Sequence, residues 1–122
     1  MIFYECPKCG NMISYLKKGS CDATCCGEPM KEIVPGTTDA AAEKHVPVVE
    51  KNGDVITVSV GSAEHPMLEE HYIEWIAITT KQGAQRKILK AGDAPKAVFT
   101  LCDGDEFKEA FAYCNLHKLW KS

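Results

Sequence analysis

The sequence predicts an all-β chain in two parts, a small metal-stapled N-terminal segment followed by a β-sandwich. Three observations predict it. Apolar residues alternate with period two through several short runs after His45. Turn signals such as Asn52-Gly53, Gln82-Gly83 and Asp103-Gly104-Asp105 recur between those runs. Four cysteines, Cys6, Cys9, Cys25 and Cys26, sit in a glycine-containing first segment with little apolar material of its own. A length of 122 residues leaves room for one modest domain and an attached subdomain that needs its own staple.

In the first segment, Met1 to about Lys31, short runs such as Met12-Ile13-Ser14-Tyr15-Leu16 predict small strands around a metal, without which so few residues would hardly fold. Cys6-Pro7-Lys8-Cys9 is a tight knuckle whose backbone amides can point at bound sulfur. Cys25 and Cys26 are adjacent, and neighbours in an extended segment point to opposite sides. Binding one ion through both therefore requires a local twist, which Gly27 can relieve. Four thiolates make a closed tetrahedral site for which iron and zinc are equally acceptable. The chain has seven cysteines, and no basic stretch leads into an apolar run at Met1-Ile2-Phe3-Tyr4-Glu5-Cys6. Metal ligation is thus favoured over secreted disulfides, and a cytoplasmic location is expected. Cys21 is a minor competitor for the site, and Cys102, after the strand-like run Ala97 to Leu101, is expected to be a buried apolar side chain.

Val34-Pro35-Gly36-Thr37-Thr38 reads as a linker, giving domains at 1–36 and 37–122. Asp39 to Lys44 reads as one or two helical turns, capped by Thr38 or Asp39 and stopped before Pro47, with His45 at the stop. Strands are predicted from Val46 to Glu50, across an Asn52-Gly53 hairpin to Val55–Val60, and from Tyr72 to Ile78 with apolar residues on both faces. Arg86 to Leu89, Ala97 to Cys102 and Glu109 to Cys114 supply the rest of a small sandwich. A net charge of −3 with scattered lysines gives no footprint for nucleic acid, and no apolar stretch reaches membrane-spanning length.

All four histidines, His45, His65, His71 and His117, can be grouped with Cys114 as one five-ligand set, which suits a redox-active transition metal with a vacant position. Only Cys114-Asn115-Leu116-His117 places two of them close in sequence. Taken singly, a histidine is more often a surface or satisfied core residue, and four independent ones are the commoner meaning of such a count. Glu43 and Lys44, by composition, are two solvated charges at a helix end. Backbone amides of Asn115 and Leu116 are placed to donate to the Cys114 sulfur.

The neighbouring words change that weighting. Cys6-Pro7-Lys8-Cys9-Gly10-Asn11 and Cys25-Cys26-Gly27-Glu28-Pro29-Met30 resemble a desulforedoxin-like module. Glu43-Lys44-His45-Val46-Pro47-Val48, His65-Pro66-Met67, His71-Tyr72-Ile73-Glu74-Trp75-Ile76, Gly92-Asp93-Ala94-Pro95 and Tyr113-Cys114-Asn115-Leu116-His117 follow in order. Over essentially the whole length, the chain resembles the desulfoferrodoxins, the two-iron superoxide reductases. The resemblance implies an immunoglobulin-like sandwich as the catalytic domain, and a mononuclear iron with the four histidines in a plane and Cys114 on the axis. It further implies Glu43 as an occupant of the sixth position in the ferric state, and Lys44 as the cation that attracts superoxide. An accessory four-cysteine iron, a rubredoxin-like electron donor and a homodimer are also implied. Two other readings remain beside the enzyme: a rubredoxin-like electron carrier without turnover, and a zinc-stabilised interaction module.

Overall fold

The computed structural model describes every residue except Asp39, and the chain divides into two compact units, Met1–Val34 and Pro35–Ser122. In the first, β1 (Phe3–Glu5) lies between β2 (Met12–Ile13) and β5 (Lys31–Ile33) in an antiparallel sheet. A separate ribbon pairs β3 (Thr24–Cys25) with β4 (Glu28–Pro29). Its loop is Cys26-Gly27, with φ of 52° and 76°. Two successive left-handed residues make the mirror-image hairpin turn that matches strand twist, so the expected twist between the paired cysteines falls on Cys26 itself. The buried apolar residues of this unit are Phe3, Cys6, Met30 and Ile33.

The second unit begins with α1 (Ala42–His45), followed by β6 (Pro47–Asn52), β7 (Val55–Val60), β8 (Ile73–Thr80) and β9 (Gly83–Ile88). Then come β10 (Lys96–Thr100), β11 (Phe107–Cys114) and β12 (Lys118–Lys121). They form two antiparallel sheets, ordered β10-β7-β6 and β12-β11-β8-β9. Ile56, Val58, Val60, Ala97 and Phe99 on one sheet face Ile73, Ile76, Ile78, Ala110, Ala112 and Cys114 on the other, making one continuous core. The protein is therefore nearly all-β, with a sandwich as its body, and among the described residues no helix is long and apolar enough to cross a membrane.

Several expectations need correction. The helix is a single turn with Ala41 at its N-cap and no side-chain cap; of the two caps expected, Asp39 lies outside the described residues. Both predicted hairpin turns shift by one residue, because Asn52 pairs with Val55 around Gly53-Asp54, and Thr80 pairs with Gly83 around Lys81-Gln82. Strict alternation fails in β8. Cys114 pairs with Ile73 but Tyr113 pairs with Trp75, so Glu74 is an extra residue, a β-bulge. The bulge brings Ile73 onto the same core face as Ile76 and Ile78, which a period of two would set opposite. Cys102 is exposed, since β10 stops at Thr100 and the carbonyl of Cys102 closes a turn with the Asp105 amide at 3.1 Å. Strand β12 has no counterpart in the expected set.

Candidate metal centre

Each histidine is delivered by a different local device. His45 ends α1, where the Val46 amide closes the turn on the Ala42 carbonyl at 2.9 Å. The segment from Gly61 to Ala63 clasps that turn: Gly61 N–H donates to Val46 O at 3.1 Å and Ala63 N–H to Glu43 O at 2.9 Å. Gly61 is required there, because its φ is +82° and an added Cβ would lie 2.4 Å from the Ala63 carbonyl oxygen and 2.7 Å from that of Lys44. His65 follows in the same loop, fully buried, and His71 sits in the bridge Leu68–His71 just before β8. Cys114 ends β11, and His117 lies in the turn to β12.

The four rings occupy the corners of a square. Centroids of successive rings are 4.7 Å apart for His45–His65 and His65–His71, 5.1 Å for His71–His117 and 4.8 Å for His117–His45. Successive rings stand nearly perpendicular, at 76° to 85°, whereas His45 and His71, at opposite corners, are 6.3 Å apart and inclined by 29°. One donor atom from each of His45, His65, His71 and Cys114 lies within 4.8 Å of the others. His117 joins through Nδ1, 3.0 Å from His45 Nε2 and 3.9 Å from Cys114 Sγ.

Hydrogen bonds fix which nitrogen faces inward. His45 Nδ1 lies 2.8 Å from the Ala41 carbonyl oxygen, and His65 Nδ1 lies 2.7 Å from that of Pro66. A carbonyl only accepts, so both Nδ1 atoms carry the proton and each Nε2 keeps a lone pair, that of His45 facing His117 Nδ1 at 3.0 Å. The Nε2 atoms of His65 and His71 are buried with no hydrogen-bond partner among the described residues. Two buried, unpartnered ring nitrogens beside a thiol call for a partner, and a metal ion fits the donor set.

Burial dominates the titration of His45, His65, His71 and Cys114. It pushes His65 down from 6.5 to about 4, and it also lowers His45 and His71. It raises the Cys114 thiol, against which the backbone amides of His117 and Leu116 pull. The Asn115 amide, expected at the sulfur, instead donates to the Tyr72 carbonyl at 3.2 Å. In metal-free protein the unfolded chain binds more protons than the fold between the ordinary histidine value and about pH 4, so stability falls as pH falls through that window. His65 alone contributes about 3 kcal/mol of that loss. Both tryptophans, Trp75 and Trp120, belong to the sandwich, so urea unfolding of metal-free protein followed by their fluorescence measures it. A midpoint that does not move between about pH 7 and about pH 4 would contradict the prediction.

Trp120 is a supporting residue that the sequence did not single out. Its ring stacks on His45 at 4.9 Å and 27°, and its Nε1–H donates to the His117 carbonyl at 2.9 Å. One buried side chain thus braces two corners of the square. Glu43 and Lys44 are exposed on α1 beside His45, and the Lys44 charge adds to the lowering of His45 and His71.

The sulfur atoms of Cys6, Cys9, Cys25 and Cys26 form the second group, all within 4.8 Å of one another. The Cys9 amide, 3.5 Å from the Cys6 sulfur, lowers that thiol to about 6, whereas bonding to the other thiols pushes Cys26 up to about 12. Cys6 thus ionises more readily than Cys26, whose proton a bound cation would displace. Asn11 Nδ2 lies 3.5 Å from the Cys25 sulfur. Cys21 is exposed and outside this group.

Residues 37–122 match the family profile described as desulfoferrodoxin, and residues 1–33 match that of the desulfoferrodoxin N-terminal domain. The chain is 48% identical over 122 residues to a desulfoferrodoxin homolog of Archaeoglobus fulgidus, covering 100% of this chain and 96% of that one. It is 49% identical over 119 residues to the desulfoferrodoxin of Nitratidesulfovibrio vulgaris, covering 98% and 93%. Among solved structures, the superoxide reductase from Treponema pallidum superposes with a TM-score of 0.80 at 39% identity, over 93% of each chain. A superoxide reductase from Giardia intestinalis gives 0.56 at 35% identity, over 66% of this chain and 95% of that one. With both parts matching in order and relatives alike along their full length, the chain belongs to the desulfoferrodoxin family.

Proposed function

We propose that the chain is a superoxide reductase: superoxide takes up one electron and two protons and leaves as hydrogen peroxide. The observation that carries this is the square of imidazoles with two buried, unpartnered Nε2 atoms beside a buried thiol. Iron bound there supplies the electron, its affinity for oxygen ligands tuned by the thiolate. The relatives named as superoxide reductases support the assignment. His45, His65, His71, Cys114 and His117 are the proposed ligands, within a catalytic domain at 37–122, and the accessory iron domain at 1–36 uses Cys6, Cys9, Cys25 and Cys26. Four thiolates fill a tetrahedral ion, so that second centre holds structure or passes electrons and takes no substrate.

The surrounding residues have separate tasks. Lys44 presents a cation at the mouth of the site on a chain of net charge −3, which draws a small anion locally. Glu43, exposed on α1 beside His45, would offer a carboxylate to iron held there in the oxidised protein. A rubredoxin-like protein in the cytoplasm is the proposed electron donor. The exposed Met1, Ile2 and Leu16 support pairing of two chains through their first units.

Pulse radiolysis of the reduced iron-loaded protein tests the activity, and superoxide decay no faster than with metal-free protein overturns it. In the same assay Lys44→Ala is expected to slow the encounter about 3- to 10-fold at low salt and to flatten its ionic-strength dependence, with Lys44→Arg restoring both. Unchanged kinetics would make Lys44 a bystander.

A further inference from the structure

The Asn115 side chain grips the chain on both sides of His71. Its Oδ1 accepts the Tyr72 amide at 3.0 Å, and its Nδ2 donates to the Glu70 carbonyl at 3.1 Å. The two partners fix the orientation of the amide, because an N–H requires the oxygen and a carbonyl requires the NH₂. The Asn115 backbone amide adds a third bond, to the Tyr72 carbonyl at 3.2 Å. Residues 70 and 72 flank His71, and residue 115 stands between the proposed ligands Cys114 and His117.

His71 needs such a grip more than its neighbours do. His45 and His65 are each oriented by an Nδ1–H bond to a carbonyl, whereas no such bond holds the His71 ring among the described residues. Its nearer support is the bridge with Leu68, whose amide donates to His71 O at 2.9 Å while the His71 amide donates to Leu68 O at 3.1 Å. That bridge is a tight local loop beside an exposed leucine. Among the described residues, the hydrogen bonds that join residues 68–72 to the end of β11 and its turn are those of Asn115, next to the pairing of Ile73 with Cys114. Asn115 supplies the tie.

We propose that Asn115 is a positioning residue that holds His71 as a ligand, locking the loop of one corner of the square to the turn that carries two other ligands. The proposal rests on the metal-centre reading above. Residues that orient a ligand are worth about 10- to 100-fold in metal affinity. Asn115→Ala should therefore speed the loss of ferrous iron from the histidine site to a chelator by about that factor. The four-cysteine site in the same chain serves as an internal reference and should release its iron unchanged.

A merely structural role is separated by a double-mutant cycle. If Asn115 acts through His71, Asn115→Ala should cost no further iron affinity once His71→Ala has removed the ring. Equal losses in both backgrounds, or no loss in either, overturn the proposal. Unaltered protein that holds no iron at the histidine site overturns the metal-centre reading itself, a result visible before any variant is made. Amide exchange in the unaltered iron-loaded protein gives a test that needs no variant: the Tyr72 N–H should be protected, and free exchange there also overturns the proposal.

Discussion

Replacing Cys114 with alanine is expected to abolish superoxide reduction, lowering the rate by at least about 10²-fold, since a ligand matters more than the residues that orient it. The ferric protein should lose its visible thiolate-to-iron charge-transfer band at the same time. The folding effect should be small by comparison. Cys114 is fully buried in the core beside Ile73, so losing one sulfur costs about 1 kcal/mol, as for other single-atom core deletions. That contrast between a large catalytic loss and a small stability loss is the signature of a ligand. The side chain is also costly to use: burial raises the thiol, and only metal binding, with the amides of Leu116 and His117, makes the thiolate the stable form. Visible absorption, superoxide decay after a radiolysis pulse and urea unfolding of the metal-free variant measure the three effects. A Cys114→Ala protein that keeps its band and its rate would remove sulfur from the centre.

The sequence made this candidate centre legible because its proposed ligands come in short, dissimilar words, each fixed by covalent neighbours. Cys114-Asn115-Leu116-His117 needs only a turn after a strand, and the structure has one between β11 and β12. The alternation of Val55–Val60 likewise survives folding, because both neighbouring strands pair with it in simple register. What stayed hidden depends on pairings that a local pattern cannot record. The bulge at Glu74 exists only relative to Tyr113 and Cys114, so no count of alternation along β8 could place it. Trp120 acts on His45, far away in sequence, through a strand of four residues that begins at Lys118 with a left-handed φ of 61°. Its position near the chain end beside His117 was the one available signal. Cys102 was misplaced because the apolar run ahead of it reads as strand, while pairing with β7 ends at Thr100. Asn115 is the most instructive case: sequence adjacency aimed its backbone at the sulfur, and the fold used it for the opposite loop.

Removing metal from the four-cysteine site is expected to unfold residues 1–34 while the sandwich keeps its structure. The first unit buries only Phe3, Cys6, Met30 and Ile33 as apolar side chains. Four such side chains make a core too small to offset the ordering of a segment of this length. Binding of a structural metal to four thiolates, worth about 10–16 kcal/mol in small metal-stapled modules, is folding free energy for this unit. The double variant Cys9→Ala, Cys26→Ala is the sharper test than a change at Cys6. Cys9 and Cys26 are exposed, so their loss removes ligands without removing core, whereas Cys6 is 2% exposed and packs as well as binds. In that variant, proteolysis should cut within residues 1–34 at rates typical of an unfolded chain. Tryptophan fluorescence should report an unchanged unfolding midpoint for the sandwich, where Trp75 and Trp120 both lie. Equal protection of the two parts would mean that the strands around Phe3 stand without the ion, and the four thiols would then be a redox centre on a self-sufficient fold.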